Sequence, residues 1–265
     1  WSTDFNISFI RNEVLAIADG AKYMYTSAGW HSEYKGYDYR VAVGSAIGEI
    51  YGYVYDGVYQ YSDFNVDAVT GKQVLKKGVT DITDHAGLTA ANPLAPGYVK
   101  YKDIDGDGKI TPNDRTVIGN GTPKAYGGLT NTFAYKGFDL SFMFTFSYGN
   151  QIYNATRMFA CQSQDQRANM LAEVADRWKS TNASSTVPRW DGYVKNELYS
   201  RFVEDGSFFR MKNLTFGYTL PEKLTRKAYI SKLRIYVSAQ NLFVATKYSG
   251  YDPEVSMAAS NPMTP

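Results

Sequence analysis

The feature that most constrains the fold is a strict alternation of residue types in 138–148. Large apolar side chains occupy every even position, from Phe138 to Tyr148, whereas the odd positions are mostly polar. A period of two is typical of a β-strand with one apolar and one polar face. A continuous row of large apolar residues needs an apolar partner, either a second sheet or lipid. The alternation therefore favours a soluble β-sandwich or a membrane β-barrel.

Other stretches alternate in the same manner and are also predicted to be strands. Residues 1–9 place Trp1 and Phe9 in one row, and we expect this strand to continue toward Ile17. The remaining strands are predicted at 125–135, 208–218 and 233–239. Together these segments predict an antiparallel, all-β sheet.

Two local departures from the alternation carry information. In 208–218 the apolar phase changes between Met211 and Leu214, which predicts a β-bulge near Asn213. Asn131 is a polar residue in the otherwise apolar row of 125–135. Between two of the strands, the pair Lys136-Gly137 predicts a tight hairpin turn.

The connections between the predicted strands alternate in length. Residues 18–124 and 149–205 are long and polar, whereas 136–137 and the segment after Leu220 are short. One edge of the sheet would then carry tight turns and the other large loops, as in outer-membrane barrels. A barrel strand crosses the membrane with only about 9–11 residues, so a long apolar helix is not required.

The second long connection contains one predicted helix. Met170, Leu171, Val174 and Trp178 recur at helical spacing, which predicts a helix over 167–179. No apolar run of about 18 residues is present, so no membrane-spanning helix is predicted. The first residues already have the pattern of a strand and not of a signal peptide, and we expect the chain to be an internal piece of a longer protein.

Composition excludes several classes of function. The formal net charge of +2 argues against a nucleic-acid-binding protein. The single cysteine, Cys161, excludes an internal disulfide and is expected to be inert. The two histidines, His31 and His85, leave little material for histidine-based catalysis and are expected to be surface or loop residues. No nucleophile or phosphate-loop motif is present, so we expect no enzymatic activity.

Residues 103–114 have the spacing of a calcium-binding loop. Carboxylates occupy loop positions 1, 3, 5 and 12, glycine occupies position 6, and a backbone carbonyl serves at position 7. The predicted ligands are Asp103, Asp105, Asp107, Lys109 (through its carbonyl oxygen) and Asp114. The alternative is a solvated acidic turn, because Asp-Gly pairs favour turns. If calcium binds, we expect a structural role in which the ion rigidifies the first long loop.

Several motifs occur in an order that resembles one protein family. They are IYGYVYDGVY (50–59), YKDIDGDGKIT (101–111), YKGFDLSF (135–142), YGNQIYN (148–154), FRMKNLTFGY (209–218), QNLF (240–243) and YDPE (251–254). Each motif alone has low specificity, but the set covers most of the chain. The sequence resembles the C-terminal barrel region of SusC/RagA-type TonB-dependent transporters.

The resemblance implies an outer-membrane barrel of about 22 strands with an N-terminal plug. It also implies import of oligosaccharides or peptides, energised through TonB, with a SusD-like surface lipoprotein as the lid. Residues 1–265 would be one portion of that barrel in a Gram-negative outer membrane. Residues 18–124 and 149–205 would be extracellular loops, and the apolar rows would face lipid. The plug, most strands and the closing strand of the family are absent from this sequence.

Two alternatives from other classes remain open at this stage. The first is a soluble, calcium-dependent β-sandwich that binds glycans, in which Phe142, Phe144 and Phe146 would be buried in a core. The second is an accessory domain of a secreted hydrolase, which would bring a pair of carboxylates together at glycosidic spacing.

Overall fold

The computed structural model describes residues 1–26, 37–162, 169–194 and 197–254. His31 and the first two residues of the predicted helix at 167–179 lie outside these ranges. The chain folds as two compact units. The sheet unit comprises Trp1–Asn12, Gly121–Ile152 and Glu204–Pro253. The loop unit comprises Glu13–Asn120 and Tyr153–Val203.

Strands dominate the described residues. In chain order they are β1 (Ser2–Phe9), β2 (Tyr23–Thr26), β3 (Tyr39–Ala42), β4 (Glu49–Gly52), β5 (Tyr55–Val58), β6 (Phe64–Val66), β7 (Gln73–Leu75), β8 (Val99–Tyr101), β9 (Thr116–Asn120), β10 (Ala125–Tyr135), β11 (Phe138–Tyr148), β12 (Gln151–Tyr153), β13 (Val203–Asp205), β14 (Phe208–Thr219) and β15 (Arg234–Thr246). The α-helices are α1 (Ala155–Gln162) and α2 (Glu222–Thr225). Within the described residues, no helix is long and apolar enough to span a bilayer.

The sheet unit is built on one five-stranded sheet in the order β1-β10-β11-β14-β15. Every neighbouring pair is antiparallel, as the alternation predicts. The register joins the apolar rows of successive strands, because Leu129 pairs with Phe144 and Phe144 pairs with Met211. Met211 in turn pairs with Phe243. One face of the sheet is therefore apolar across all five strands.

The predicted β-bulge in β14 is confirmed and has a counterpart in β15. Met143 pairs with Asn213, and the next residue of β11 pairs with Met211, so β14 contains one more residue than β11 at this point. On the other side, the register between β14 and β15 shifts at the same level. Asn241 in β15 has a φ of 48°, a left-handed conformation that asparagine tolerates better than most residues. The paired bulges keep the apolar residues of both strands on one face.

The polar Asn131 in the apolar row is satisfied by its neighbours on β1. The Thr3 hydroxyl donates a hydrogen bond of 2.6 Å to Asn131 Oδ1, and the Trp1 indole N–H donates one of 3.2 Å. A polar group outside water costs little when it is hydrogen-bonded. β1 ends at Phe9, so its expected continuation toward Ile17 is wrong. The chain turns away there because Val14 exchanges backbone hydrogen bonds with Gly44 and Ser45 in the loop unit.

The loop unit contains short strands around a core rich in tyrosine. Its sheets are β2-β3-β4-β9 and the pairs β5-β8 and β6-β7. Tyr53, Tyr59, Tyr101 and Tyr199 are almost completely buried in this core. A buried tyrosine hydroxyl usually has a hydrogen-bond partner. The Tyr59 hydroxyl, for example, donates a hydrogen bond of 2.6 Å to the Thr80 carbonyl.

The helix predicted at 167–179 is wrong in position and type. The α-helix of this connection is α1, and Ala172–Asp176 forms a 3-10 turn. Val174 and Trp178 are buried, as their spacing suggested, but the chain between them is not α-helical. The backbone N–H of Trp178 bonds to the Val187 carbonyl, and its ring packs so closely on Gly97 that a Cβ at that glycine would meet it at 2.6 Å.

Candidate metal centre

The calcium-type loop lies between two strands of the loop unit. It follows β8 and ends in the 3-10 turn Pro112–Asp114, which leads into β9. Gly106 and Gly108 have φ values of 79° and 85°, where a residue with a Cβ would be strained. Ile110 is buried in the core, and its N–H bonds to the Asp81 carbonyl at 2.9 Å. The loop is thus anchored by one apolar side chain and by the backbone of Asp81.

The structure brings three of the predicted ligands together. Three carboxylate oxygens lie within 4.8 Å of one another, one from each of Asp103, Asp105 and Asp114. Oxygens that bind one Ca²⁺ at about 2.4 Å can be at most about 4.8 Å apart, so this separation fits a shared ion. Oxygen ligands with several negative charges are the set that Ca²⁺ prefers.

Asp107 and Lys109 are placed differently from these three residues. Asp107 lies outside the group of three, and its carboxylate accepts a hydrogen bond of 2.7 Å from the Lys109 N–H. The Lys109 ammonium group lies 3.2 Å from the Asp84 carboxylate. Asp84 has no place in the calcium motif, so sequence spacing gave no signal for this contact.

Backbone N–H groups hold two of the carboxylates in place. Asp103 accepts hydrogen bonds from Gly106 and Gly108 at 2.6 and 2.8 Å. Asp114 accepts from Ile104 and Thr111, both at 2.7 Å. Burial raises the pKa of Asp114, but these backbone hydrogen bonds outweigh burial and hold the pKa below its ordinary value. Asp114 is therefore ionised at neutral pH, as a calcium ligand must be.

Arg115 connects the end of the loop to aromatic residues that lie far from it in the sequence. Its guanidinium group donates to the carbonyl oxygens of Tyr37 and Tyr51, the latter at 3.1 Å. It also lies 5.1 Å from the centre of the Tyr51 ring, in a cation–π arrangement. Asp114 and Arg115 thus link the candidate metal centre to β4.

His85 is a loop residue, as expected, and its side chain is largely but not completely shielded, with 11% of it exposed. Its ring lies edge-on to Tyr53 at 4.9 Å, and its Nε2 is 3.5 Å from Glu197 Oε1. Burial lowers the pKa of His85 and raises the pKa of Glu197 to about 7. The pair is separated by over a hundred positions in sequence, which is why no local pattern predicted it. The His85 ring contacts two tyrosines of the core, Tyr53 and Tyr101.

The chain is similar in sequence to known outer-membrane receptors. No family model matches the chain. TonB-dependent receptor P3 of Formosa agariphila is 36% identical over 261 residues, which are 98% of this chain and 24% of that receptor. TonB-dependent receptor SusC of Bacteroides thetaiotaomicron is 26% identical over 206 residues, covering 73% of this chain and 20% of SusC. The chain spans about a quarter of the length of the first of these relatives.

The fold matches solved structures over nearly its whole length. The structure of the RagAB peptide transporter superposes with a TM-score of 0.66 and 23% identity, covering 95% of this chain and 24% of the matched chain. This likeness confirms the predicted fold, a segment of an antiparallel barrel with long connections. Sequence and fold together show that the chain belongs to the SusC/RagA-type TonB-dependent receptors.

Proposed function

We propose that this chain forms part of a nutrient importer in the outer membrane of a Gram-negative bacterium. The observation that carries the proposal is the apolar face of the five-stranded sheet. Among the described residues of the sheet unit, Ala125 is the only hydrophobic residue that is buried. Phe5, Phe216 and Val237 are more than half or about half exposed on the apolar face. In water such a face would be unstable, whereas lipid would cover it.

The opposite face of the sheet has the character of a barrel lumen. Thr130 pairs with Met143, and Ser141 pairs with Thr215, so most positions in these rows are polar. The apolar face ends in aromatic residues at both edges, as in membrane barrels. At the short-turn edge these are Trp1, Tyr135, Phe138 and Tyr218, and at the long-loop edge they are Phe9 and Tyr148.

We further propose that the receptor works with a SusD-like lipoprotein lid and is energised through TonB. The solved relative RagAB is described as a peptide transporter, and SusC is a TonB-dependent receptor. The cargo of this receptor would be an oligosaccharide or a peptide. The two long connections, which build the loop unit, would lie on the extracellular side and contribute to lid docking and capture of the cargo. Import requires gated binding and no covalent chemistry.

The candidate metal centre would give the loop unit its rigidity. Asp103, Asp105 and Asp114 would hold Ca²⁺, with Asp107 and the Lys109 carbonyl as the remaining predicted ligands. Without a cation, the three gathered carboxylates repel one another at close range. The ion would neutralise this charge and fix the path of the chain from β8 to β9.

The proposal is tested with the complete receptor that carries this sequence. We expect it to fractionate with outer membranes, to require detergent for extraction and to support uptake of a labelled oligosaccharide or peptide in whole cells. Deletion of the gene for the proposed SusD-like lipoprotein should reduce that uptake. A receptor that stays soluble and monodisperse without detergent would contradict the proposal and would favour the glycan-binding sandwich.

A further inference from the structure

The connection between β14 and β15 differs from the tight turn at Lys136-Gly137. It runs through residues 220–233 and contains α2 and the 3-10 turn Arg226–Ala228. Backbone hydrogen bonds order it: Leu220 donates to the Leu233 carbonyl at 2.9 Å, and Ile230 donates to the Thr225 carbonyl at 3.1 Å. The segment is therefore a defined surface at the short-turn edge of the sheet.

This surface is strongly cationic. Its basic residues are Lys223, Arg226, Lys227 and Lys232. The only acidic residue of the segment, Glu222, forms an exposed ion pair of 2.8 Å with Arg226. The three lysines are exposed, and Lys136 adds a further cation at the same edge of the sheet. The segment thus presents a cluster of ammonium groups to its surroundings.

Apolar side chains are interleaved with these cations. Tyr229 is 100% exposed and Leu224 is 58% exposed. A completely exposed tyrosine with a positive φ of 56° makes no contribution to a core. The same edge carries the aromatic ends of the apolar row, Tyr135 and Tyr218. Cationic and aromatic residues side by side at the end of an apolar band are typical of a membrane interface.

We propose that the segment 220–233 binds the anionic headgroups of phospholipids in the leaflet at the short-turn edge. This inference rests on the membrane placement proposed above. Charge complementarity identifies the occupant, because ammonium groups clustered near a bilayer attract acidic phospholipids. Its position supports the assignment as well, since the segment joins the end of β14 to the start of β15, where the apolar face would leave the hydrocarbon. Tyr229 and Leu224 would insert at headgroup level while the lysines contact phosphate groups.

The test uses the complete receptor in nanodiscs, with a fluorophore on a cysteine placed at the exposed position Ser231. Brominated phosphatidylglycerol or phosphatidylcholine quenches the label, and the ratio of the two gives the local lipid selectivity. We expect selectivity for phosphatidylglycerol that weakens at high salt. In the variant Lys223→Gln/Lys227→Gln/Lys232→Gln, we expect the selectivity for phosphatidylglycerol to fall by about fivefold for each lysine removed near the surface. The lower limit is a selectivity of one, at which both lipids quench equally.

The matched control is Lys72→Gln/Lys76→Gln/Lys77→Gln, which removes the same charge from exposed lysines at the β6-β7 hairpin. It should leave the selectivity at Ser231 unchanged. Equal quenching by both lipids in the unmodified receptor, or an equal fall in both triple variants, would overturn the inference. If lipid selectivity is absent but the first variant abolishes uptake, the segment binds a protein and the lipid proposal is wrong. A receptor that fails to insert into membranes would instead refute the proposed function.

Discussion

The two units of this chain differ in where they place their apolar side chains. The loop unit, Glu13–Asn120 and Tyr153–Val203, buries its aromatic residues in a core of its own. The sheet unit has long, regular strands, but its large apolar residues remain exposed or half-buried. The same residue types are thus internal in one unit and external in the other. Regular secondary structure and a hydrophobic core are therefore separate properties, because lipid can replace the core.

The largest expected difference between the two units is in the cost of replacing a phenylalanine by alanine. Phe202 is fully buried and packs against Tyr199 at 5.2 Å, so Phe202→Ala should cost about 3–5 kcal/mol through the cavity that it leaves. Phe144→Ala on the apolar face should cost less than half as much, because lipid chains can fill the space. Urea unfolding of the complete receptor, followed by hydrogen exchange in each unit, measures both. Equal costs would show that Phe144 packs in a protein core.

A charge on the apolar face should be the next largest effect. Ala239 pairs with Leu214 in the apolar row, whereas its neighbour Ser238 pairs with Thr215 on the polar face. Ala239→Lys should destabilise the membrane-folded receptor by about 2–4 kcal/mol, and Ser238→Lys should change its stability little. The folded fraction after refolding into vesicles at increasing urea reports the difference. If both lysines are tolerated equally, the assignment of faces to lipid and lumen is refuted.

Removal of calcium should act on the loop unit alone. If Ca²⁺ binds at Asp103, Asp105 and Asp114, a free concentration one hundred times the dissociation constant stabilises the folded loop by about 2.7 kcal/mol. Chelation should therefore increase proteolysis and hydrogen exchange between β8 and β9 while β11 is unaffected. Asp105→Asn should abolish the response to calcium. An unchanged response to the ion in this variant would contradict the candidate metal centre.

The smallest expected effect concerns an ion-pair network inside the loop unit. Glu173 accepts hydrogen bonds from Arg157 at 2.6 and 2.7 Å, and Arg201 lies 3.3 Å from it. The Arg157 hydrogen bonds are the main reason that the pKa of Glu173 falls to about 2; burial opposes the fall, and the Cys161 thiol adds to it. Because about a quarter of this side chain is exposed, Glu173→Gln should cost only about 1–2 kcal/mol at neutral pH.

The pH dependence of this network has a definite sign. A carboxylate with a lowered pKa stabilises the fold above its unfolded pKa, here 4.5, and loses that stabilisation as the pH falls toward about 2. The stability of the loop unit should therefore decline between these values, and Glu173→Gln should flatten the decline. Denaturation at pH 7 and pH 3 measures both. An equal decline in the variant would assign the acid sensitivity to other carboxylates.

The sequence predicted the sheet unit better than the loop unit. The alternation of Phe138–Tyr148 and the phase change before Leu214 were sufficient to place the main strands and the bulge. Both are local signals, since they depend on residues close together in the chain. The prediction of a helix at 167–179 was wrong because the apolar residues there have helical spacing without a helix. Val174 and Trp178 are both buried, but the backbone that carries them is not α-helical.

The candidate metal centre was predicted only in part, for a similar reason. The spacing of Asp103, Asp105 and Asp114 is local and led to the group that the structure gathers. The contacts of Lys109 with Asp84 and of Arg115 with Tyr51 join residues that are distant in sequence. No periodic pattern marks such contacts before the chain is folded.

Local patterns in the sequence were therefore sufficient to predict the period of the strands, the position of the tight turn and the bulge, and the spacing of the acidic loop. Each of these follows from backbone geometry over a few residues. The tertiary structure was needed to show that the two long connections share one core and that the partly buried His85 lies beside Glu197. It also showed that, among the described residues of the sheet unit, no hydrophobic residue except Ala125 is buried. These features depend on contacts between segments that are distant in sequence, and such contacts form only when the chain is folded.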